Sequence, residues 1–96
     1  MGAYSDLDGK KVKFWKVNVI SLDDLIEKFP ELEEYKYRMN GLAPGTVLFS
    51  DEKNGLFINA VGGIIKVLEI QGENAKKMSI NDYLRGNKIQ AGSIFE

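Results

Sequence analysis

The sequence predicts a mainly β fold: a small open Greek-key β-barrel, with a helical insert after the first strand and a short helix before the last. Three observations predict it. Short apolar segments separated by tight-turn residues recur from Thr46 to Gln71, the spacing of a sandwich or barrel. The first long strand, from Lys10, slips its apolar phase by one residue near Phe14-Trp15, and a bulge that bends such a strand suits a small barrel. Two stretches, Ser21 to Met39 and Ser79 to Arg85, carry helix signals instead. Together these give an OB-like arrangement.

Residues Met1 to Gly9 are polar and end in the turn pair Asp8-Gly9. Lys11-Val12-Lys13-Phe14 alternates polar and apolar, as a half-buried strand does. Trp15, Val17 and Val19 continue the apolar series one residue out of step. Leu22, Leu25, Ile26 and Phe29 then fall at i, i+3, i+4 and i+7, one face of a helix. Ser21 with Asp24 three residues on resembles a capping box. Pro30 ends this helix and can open another, striped by Leu32, Tyr35 and Met39 and stopped at Asn40-Gly41. The helical insert therefore spans residues 21–40.

Pro44-Gly45 is a turn, and Thr46 to Ser50 a strand. Asp51 to Gly55 reads as a hairpin loop with Asn-Gly at its end, followed by a strand over Leu56 to Ala60. Gly62-Gly63 makes a further turn into Ile64 to Gln71, a strand rich in β-branched residues. Gly72 to Lys77 reads as polar loop, Ser79 to Arg85 as a short helix stopped at Gly86, and Ile89 to Phe95 as extended chain. There is no internal repeat and no linker, so residues 1–96 read as one domain.

Composition narrows the function classes. Hydrophobic residues are 44% and charged residues 28%, ordinary globular values. The chain has no cysteine and no histidine, which removes a thiolate zinc site, a cysteine nucleophile and the commonest general base. An independent hydrolase or transferase is not expected from such a set. No apolar run approaches the length of a membrane span, and the N-terminus has no signal-peptide character, so a cytoplasmic protein is expected. The net charge of −1 means that any nucleic-acid role must rest on a local patch.

Several residues could in principle carry chemistry. Asp23, Asp24 and Glu27, or Glu31, Glu33 and Glu34, could bind a divalent ion, but they lie opposite the apolar stripes, where charges solvate a helix. Gly62-Gly63 lacks the strand-loop-helix context of a phosphate cradle. Ser79 has no base to activate it and suffices as a helix cap. Trp15 could stack on a nucleic-acid base, although a lone tryptophan in a bent strand more often packs in a barrel core or rim. No catalytic or metal-binding residue is therefore assigned.

The basic residues are unevenly placed. Lys10, Lys11, Lys13 and Lys16 put four positive charges in seven positions, Lys76 and Lys77 are adjacent, and Arg85 and Lys88 flank the last turn. The stretch Ser21 to Met39 holds six acidic and three basic residues, a balance of −3, which leaves the remainder at +2. Such a face suits weak phosphate contacts; equally, lysines keep strand edges from pairing.

An ordered series of short motifs carries a family resemblance. Gly2-Ala3-Tyr4, Asp8-Gly9-Lys10 and Lys13-Phe14-Trp15-Lys16 open it. Ala43-Pro44-Gly45-Thr46-Val47, Asn54-Gly55-Leu56 and Leu68-Glu69-Ile70-Gln71 continue it. Lys76-Lys77-Met78-Ser79, Tyr83-Leu84-Arg85-Gly86, Ala91-Gly92 and Phe95 close it. No single motif is specific, but the series resembles the C-terminal domain of methionyl-tRNA formyltransferase over nearly the whole chain except the helical insert.

The resemblance implies an open Greek-key barrel that follows a Rossmann-like catalytic domain using 10-formyltetrahydrofolate. The catalytic Asn, His and Asp of that domain have no counterpart here, so the resemblance implies no activity and no cofactor in this chain alone. It implies an accessory role in translation initiation, with initiator tRNA and the catalytic domain as partners. Lys10, Lys11, Lys13, Lys16, Lys76 and Lys77 are the candidate tRNA contacts, five of them (all but Lys16) lying in stretches that match the family's basic segments.

Two departures stand against this background. Met1 occupies the place of a junction proline, which makes the chain look like an excised domain or a stand-alone fragment. The insert is longer and more acidic than the usual connection, and acidic charge beside a tRNA-facing barrel repels phosphate. Two alternatives follow: a scaffold barrel of a sugar-nucleotide formyltransferase, or a stand-alone interaction module without nucleic-acid binding.

Overall fold

The computed structural model describes residues 3–38 and 41–96. The stripe residue Met39 and the helix stop at Asn40 lie outside the described residues. The chain forms β1 (Ala3–Leu7), β2 (Lys10–Ile20), α1 (Leu22–Lys28), a 3-10 turn (Pro30–Leu32) and α2 (Tyr35–Arg38). It continues through β3 (Val47–Asp51), β4 (Gly55–Ala60), β5 (Gly63–Gly72), β6 (Lys77–Ser79) and α3 (Ile80–Gly86). The strands make one curled antiparallel sheet in the order β1-β2-β5-β4-β3, with β6 added beside β5. This is the mainly β, open barrel-like fold expected, with helices after the long strand and late in the chain.

The expected bulge is present. Val12 and Phe14 pair with Gly72 and Ile70, the register then shifts on both sides of Lys16, and Val17 and Val19 pair with Val67 and Ile65. β5 compensates: Val67 and Ile70, both facing the barrel interior, are three positions apart instead of two. The paired strands coil through this point, which turns the sheet into a partial barrel.

Three elements differ from the expectation. Ala3 to Leu7 is a strand rather than a polar approach, because its identity comes from its register against β2 and not from its own alternation. Lys77 to Ser79 is a strand rather than loop, since Met78 sits opposite Ile70 at the edge of β5. The expected second insert helix is broken into a 3-10 turn and a single helical turn, α2. Pro30 begins that turn, and Leu32 N–H and Glu33 N–H close back onto Phe29 and Pro30 carbonyls at 2.9 and 3.1 Å.

The segment after α3 is extended but irregular, with one isolated bridge between Thr46 and Ile94. Its backbone nevertheless reaches both sides of the sheet. Val47 N–H donates to Ser93 O and Gly92 N–H to Val47 O, each at 2.8 Å. Phe95 N–H donates to Gly45 O at 2.9 Å, and Glu96 N–H to Asp6 O of β1 at 2.8 Å. Residues 92–96 thus join the β3 edge to the β1 edge.

Two apolar cores result. The barrel interior gathers Val12, Val47, Leu56, Ile58, Val67 and Ile70 from the sheet under Ile80 and Leu84 of α3. Phe95 joins them, edge-on to Phe14 at 5.4 Å between ring centroids. The other face is covered by the insert: Leu25, Phe29 and Leu32 pack on Leu48, Phe57 and Ile64. β4 is therefore buried on both faces, Leu56 and Ile58 inward and Phe57 outward. Ser21 and Ser79 cap α1 and α3, accepting from Asp24 N–H at 3.1 Å and Asp82 N–H at 3.2 Å.

Candidate nucleic-acid interface

The bulge decides which basic residues meet. Lys13 of β2, Gln71 of β5 and Lys77 of β6 form one row across three strands. Strands lie roughly 4.8 Å apart, so the two lysine backbones are about 10 Å from each other. Their side chains converge on Trp15, the residue the register skips. Lys13 Nζ lies 4.0 Å and Lys77 Nζ 5.0 Å from the indole centroid. Such contacts are attractive because the ring face carries negative quadrupole charge. The indole is fixed in turn: Trp15 Nε1–H donates to Gln71 Oε1 at 2.8 Å, and Gln71 Nε2–H donates to Ala75 O at 2.9 Å.

Trp15 is thus neither in the barrel core nor in the insert core. It is half-buried on the outer side of the sheet, opposite the face that carries Phe14 and Ile70. Beside it, Lys11, Lys13, Gln71, Gly72, Glu73 and Asn74 line an open groove of about 290 Å³. Asn74 holds the turn at its end with a φ of 59°.

The other candidates take different positions. Lys16 stands opposite Glu69 in the adjoining row, and Glu69 makes a 4.0 Å ion pair with Lys77. Both partners are largely exposed, so this pair adds little to stability. Lys76 lies exposed in the loop before β6. Lys10 pairs with Leu7 and, by strand alternation, takes the other face of β2 from Lys11 and Lys13, lining one groove with Val12, Tyr83 and Asn87 and sharing a second with Lys11. Lys11, Lys13, Lys16 and Lys77 are brought onto neighbouring strand rows of the Trp15 face, with Lys10 at its margin.

Gln71 is the site residue that sequence reasoning missed. Its signals were a polar side chain near the end of a β-branched run and its place in the Leu68-Glu69-Ile70-Gln71 motif. Elsewhere, burial raises the Tyr83 phenol above its usual range. Lys66 is held below the ordinary lysine value by burial first and then by the adjacent Lys28 ammonium. Among the described residues no group of three or more Asp or Glu could hold a metal ion, and all six candidate acidic residues of the insert are exposed. No described helix is long and apolar enough to cross a membrane.

Residues 1–88 match the family described as formyl transferase, C-terminal domain. The chain is also similar to curated methionyl-tRNA formyltransferases. That of Carboxydothermus hydrogenoformans is 33% identical over 95 residues, 99% of this chain and 25% of the relative. That of Caldanaerobacter subterraneus subsp. tengcongensis is 32% identical, again over 99% of this chain and 25% of the relative. For Ruminiclostridium cellulolyticum the values are 29%, 95% and 24%. The chain spans about a quarter of the length of these relatives.

Proposed function

This chain belongs to the formyl transferase C-terminal domain family, and from that premise we propose that it is the accessory barrel of a methionyl-tRNA formyltransferase that helps to position the initiator tRNA. One observation carries the tRNA contact: Lys13 and Lys77, from strands far apart in sequence, are gathered on one indole that Gln71 holds in place. Two ammonium groups, 4.0 and 5.0 Å from one indole centroid and flanked by Lys11 and Lys16, can each meet a phosphate of one nucleic-acid strand. Lys76, exposed next to Lys77 in sequence, and Lys10 contribute to the general field. The acceptor chemistry and 10-formyltetrahydrofolate belong, on this reading, to the remainder of the parent enzyme, in the cytoplasm. The 96 residues act as one domain.

The test is a tRNA titration followed by the fluorescence of the chain's one tryptophan. Binding in the range of about 10⁻⁴ to 10⁻⁶ M is expected, with log affinity falling against log salt at a slope of roughly −3 to −4 for three or four phosphates. K13E/K77E should weaken binding and flatten that slope. Binding indifferent to this double reversal, or none at low salt, refutes the tRNA role and favours the scaffold barrel of a sugar-nucleotide formyltransferase.

A further inference from the structure

Besides Tyr37 of α2 and Ile94 of the C-terminal segment, the exposed large apolar residues among those described are three valines: Val17, 40% exposed, Val19, 73%, and Val61, 88%. Val17 and Val19 stand opposite Val67 and Ile65, so they continue the barrel-interior face of the sheet, yet neither joins its core. Val19 Cγ1 lies over Gly63, 3.2 Å from where a Cβ would stand, and Val61 enters the same Gly62-Gly63 turn. Val17 and Val19 thus lie along the unpaired part of β2, with Val61 in the adjoining turn. Exposed apolar residues gathered at one end of a sheet are candidates for an interaction site.

The strand edge beside it is open too. β1 pairs with β2 only from Lys10 to Phe14, with Ala3 opposite Phe14. Among the described residues no strand pairs with the outer edge of β2 from Val17 to Ile20. Because β1 runs antiparallel to β2, its N-terminal end at Ala3 stands opposite Phe14, next to where this open edge begins. In the relatives three quarters of the length lies outside the matched part, and the family model describes that part as C-terminal. The approach through β1 therefore leads the body of such an enzyme to these valines.

We propose that Val17, Val19 and Val61, with the open edge of β2, form the docking surface for the N-terminal portion of the parent formyltransferase. The inference rests on family membership and not on nucleic-acid contact. It places that portion opposite the Trp15 face, leaving the lysine row accessible. A strand edge supplies main-chain hydrogen bonds while the valines supply burial.

The test uses a full-length chimera, the Carboxydothermus hydrogenoformans enzyme with this chain in place of its matched region, read by amide hydrogen exchange. Val17 to Ile20 should exchange at least tenfold more slowly in the chimera than in the 96-residue chain. V19E/V61E should abolish that protection while leaving the melting temperature of the 96-residue chain unchanged, and K13E/K77E should leave the protection intact. Equal exchange in the two contexts overturns the proposal. So does self-association of the 96-residue chain that V19E/V61E removes, since the occupant is then a second copy.

Discussion

Replacing Leu25 by alanine tests whether the insert is an integral part of the fold. Leu25 is fully buried, in the centre of a cluster formed by Phe29, Leu32, Leu48, Phe57 and Ile64. Around it, Phe29 stacks on Phe49 at 4.3 Å and meets Phe57 edge-on at 5.5 Å. Rings locked in this way cannot collapse into the space a leucine vacates. The cost should therefore lie within the usual range for a buried leucine, about 2–5 kcal/mol. For a domain of this size each kcal/mol shifts the melting temperature by roughly 4–8 °C, so a fall of about 8 to 40 °C is expected. The assay is urea and thermal unfolding followed by circular dichroism, with Tyr37→Ala as the control. Tyr37 is 87% exposed, and its truncation should change stability by no more than about 0.5 kcal/mol. The midpoint should move with little change in the urea slope if the insert unfolds together with the barrel. A melting temperature within a few degrees of the parent refutes the reasoning, because it means the insert packs outside the cooperative unit.

Three further outcomes are expected. Gly45→Ala should lower the melting temperature sharply, since Gly45 has a φ of 95° and an added Cβ would stand 2.1 Å from the Phe95 carbonyl oxygen; a neutral result refutes the tail packing. Ser79→Ala should cost about 1 kcal/mol in urea unfolding by removing the acceptor for Asp82 N–H, and an unchanged midpoint would show the cap to be redundant. Lys66→Met should raise stability at neutral pH. The lysine is held below its usual value when folded, so the unfolded chain binds its proton more tightly, and this residue's penalty is relieved only as alkaline pH approaches the ordinary lysine range. Parallel stability-versus-pH curves for the two proteins below pH 10.5 would contradict that linkage.

The barrel was legible because its signals are local. The phase slip at Phe14-Trp15 is a bulge, Ser21 and Ser79 are caps, and the Asp51 to Gly55 loop is a hairpin. β1 and β6 were not legible, since their few residues become strands only through partners on β2 and β5. The site shows the same limit. Clustered lysines mark a basic stretch in sequence, but Lys77 meets Lys13 only because β5 lies between β2 and β6. Trp15 looks like a core residue by type; the bulge moves it to the outside, where a glutamine more than fifty positions away fixes it. Likewise Val17 and Val19 have the pattern of core residues and the exposure of surface ones.

The backbone bonds of residues 92–96 to Gly45, Val47 and Asp6 impose an order of assembly. Within this domain β1 and β3 leave the ribosome before residues 92–96, and each closing contact spans a large part of the domain. Hairpins such as β1–β2 and β3–β4 can form while synthesis continues, because their partners are neighbours in sequence. The two margins of the sheet cannot be tied together until residues 92–96 have been released. Until then β1 and β3 present unpaired backbone, the surface on which nascent chains pair wrongly. Residues 92–96 therefore act as a latch on biosynthesis: a translation product that stops short of Gly92 carries nearly the whole core without the bonds that tie its two margins together.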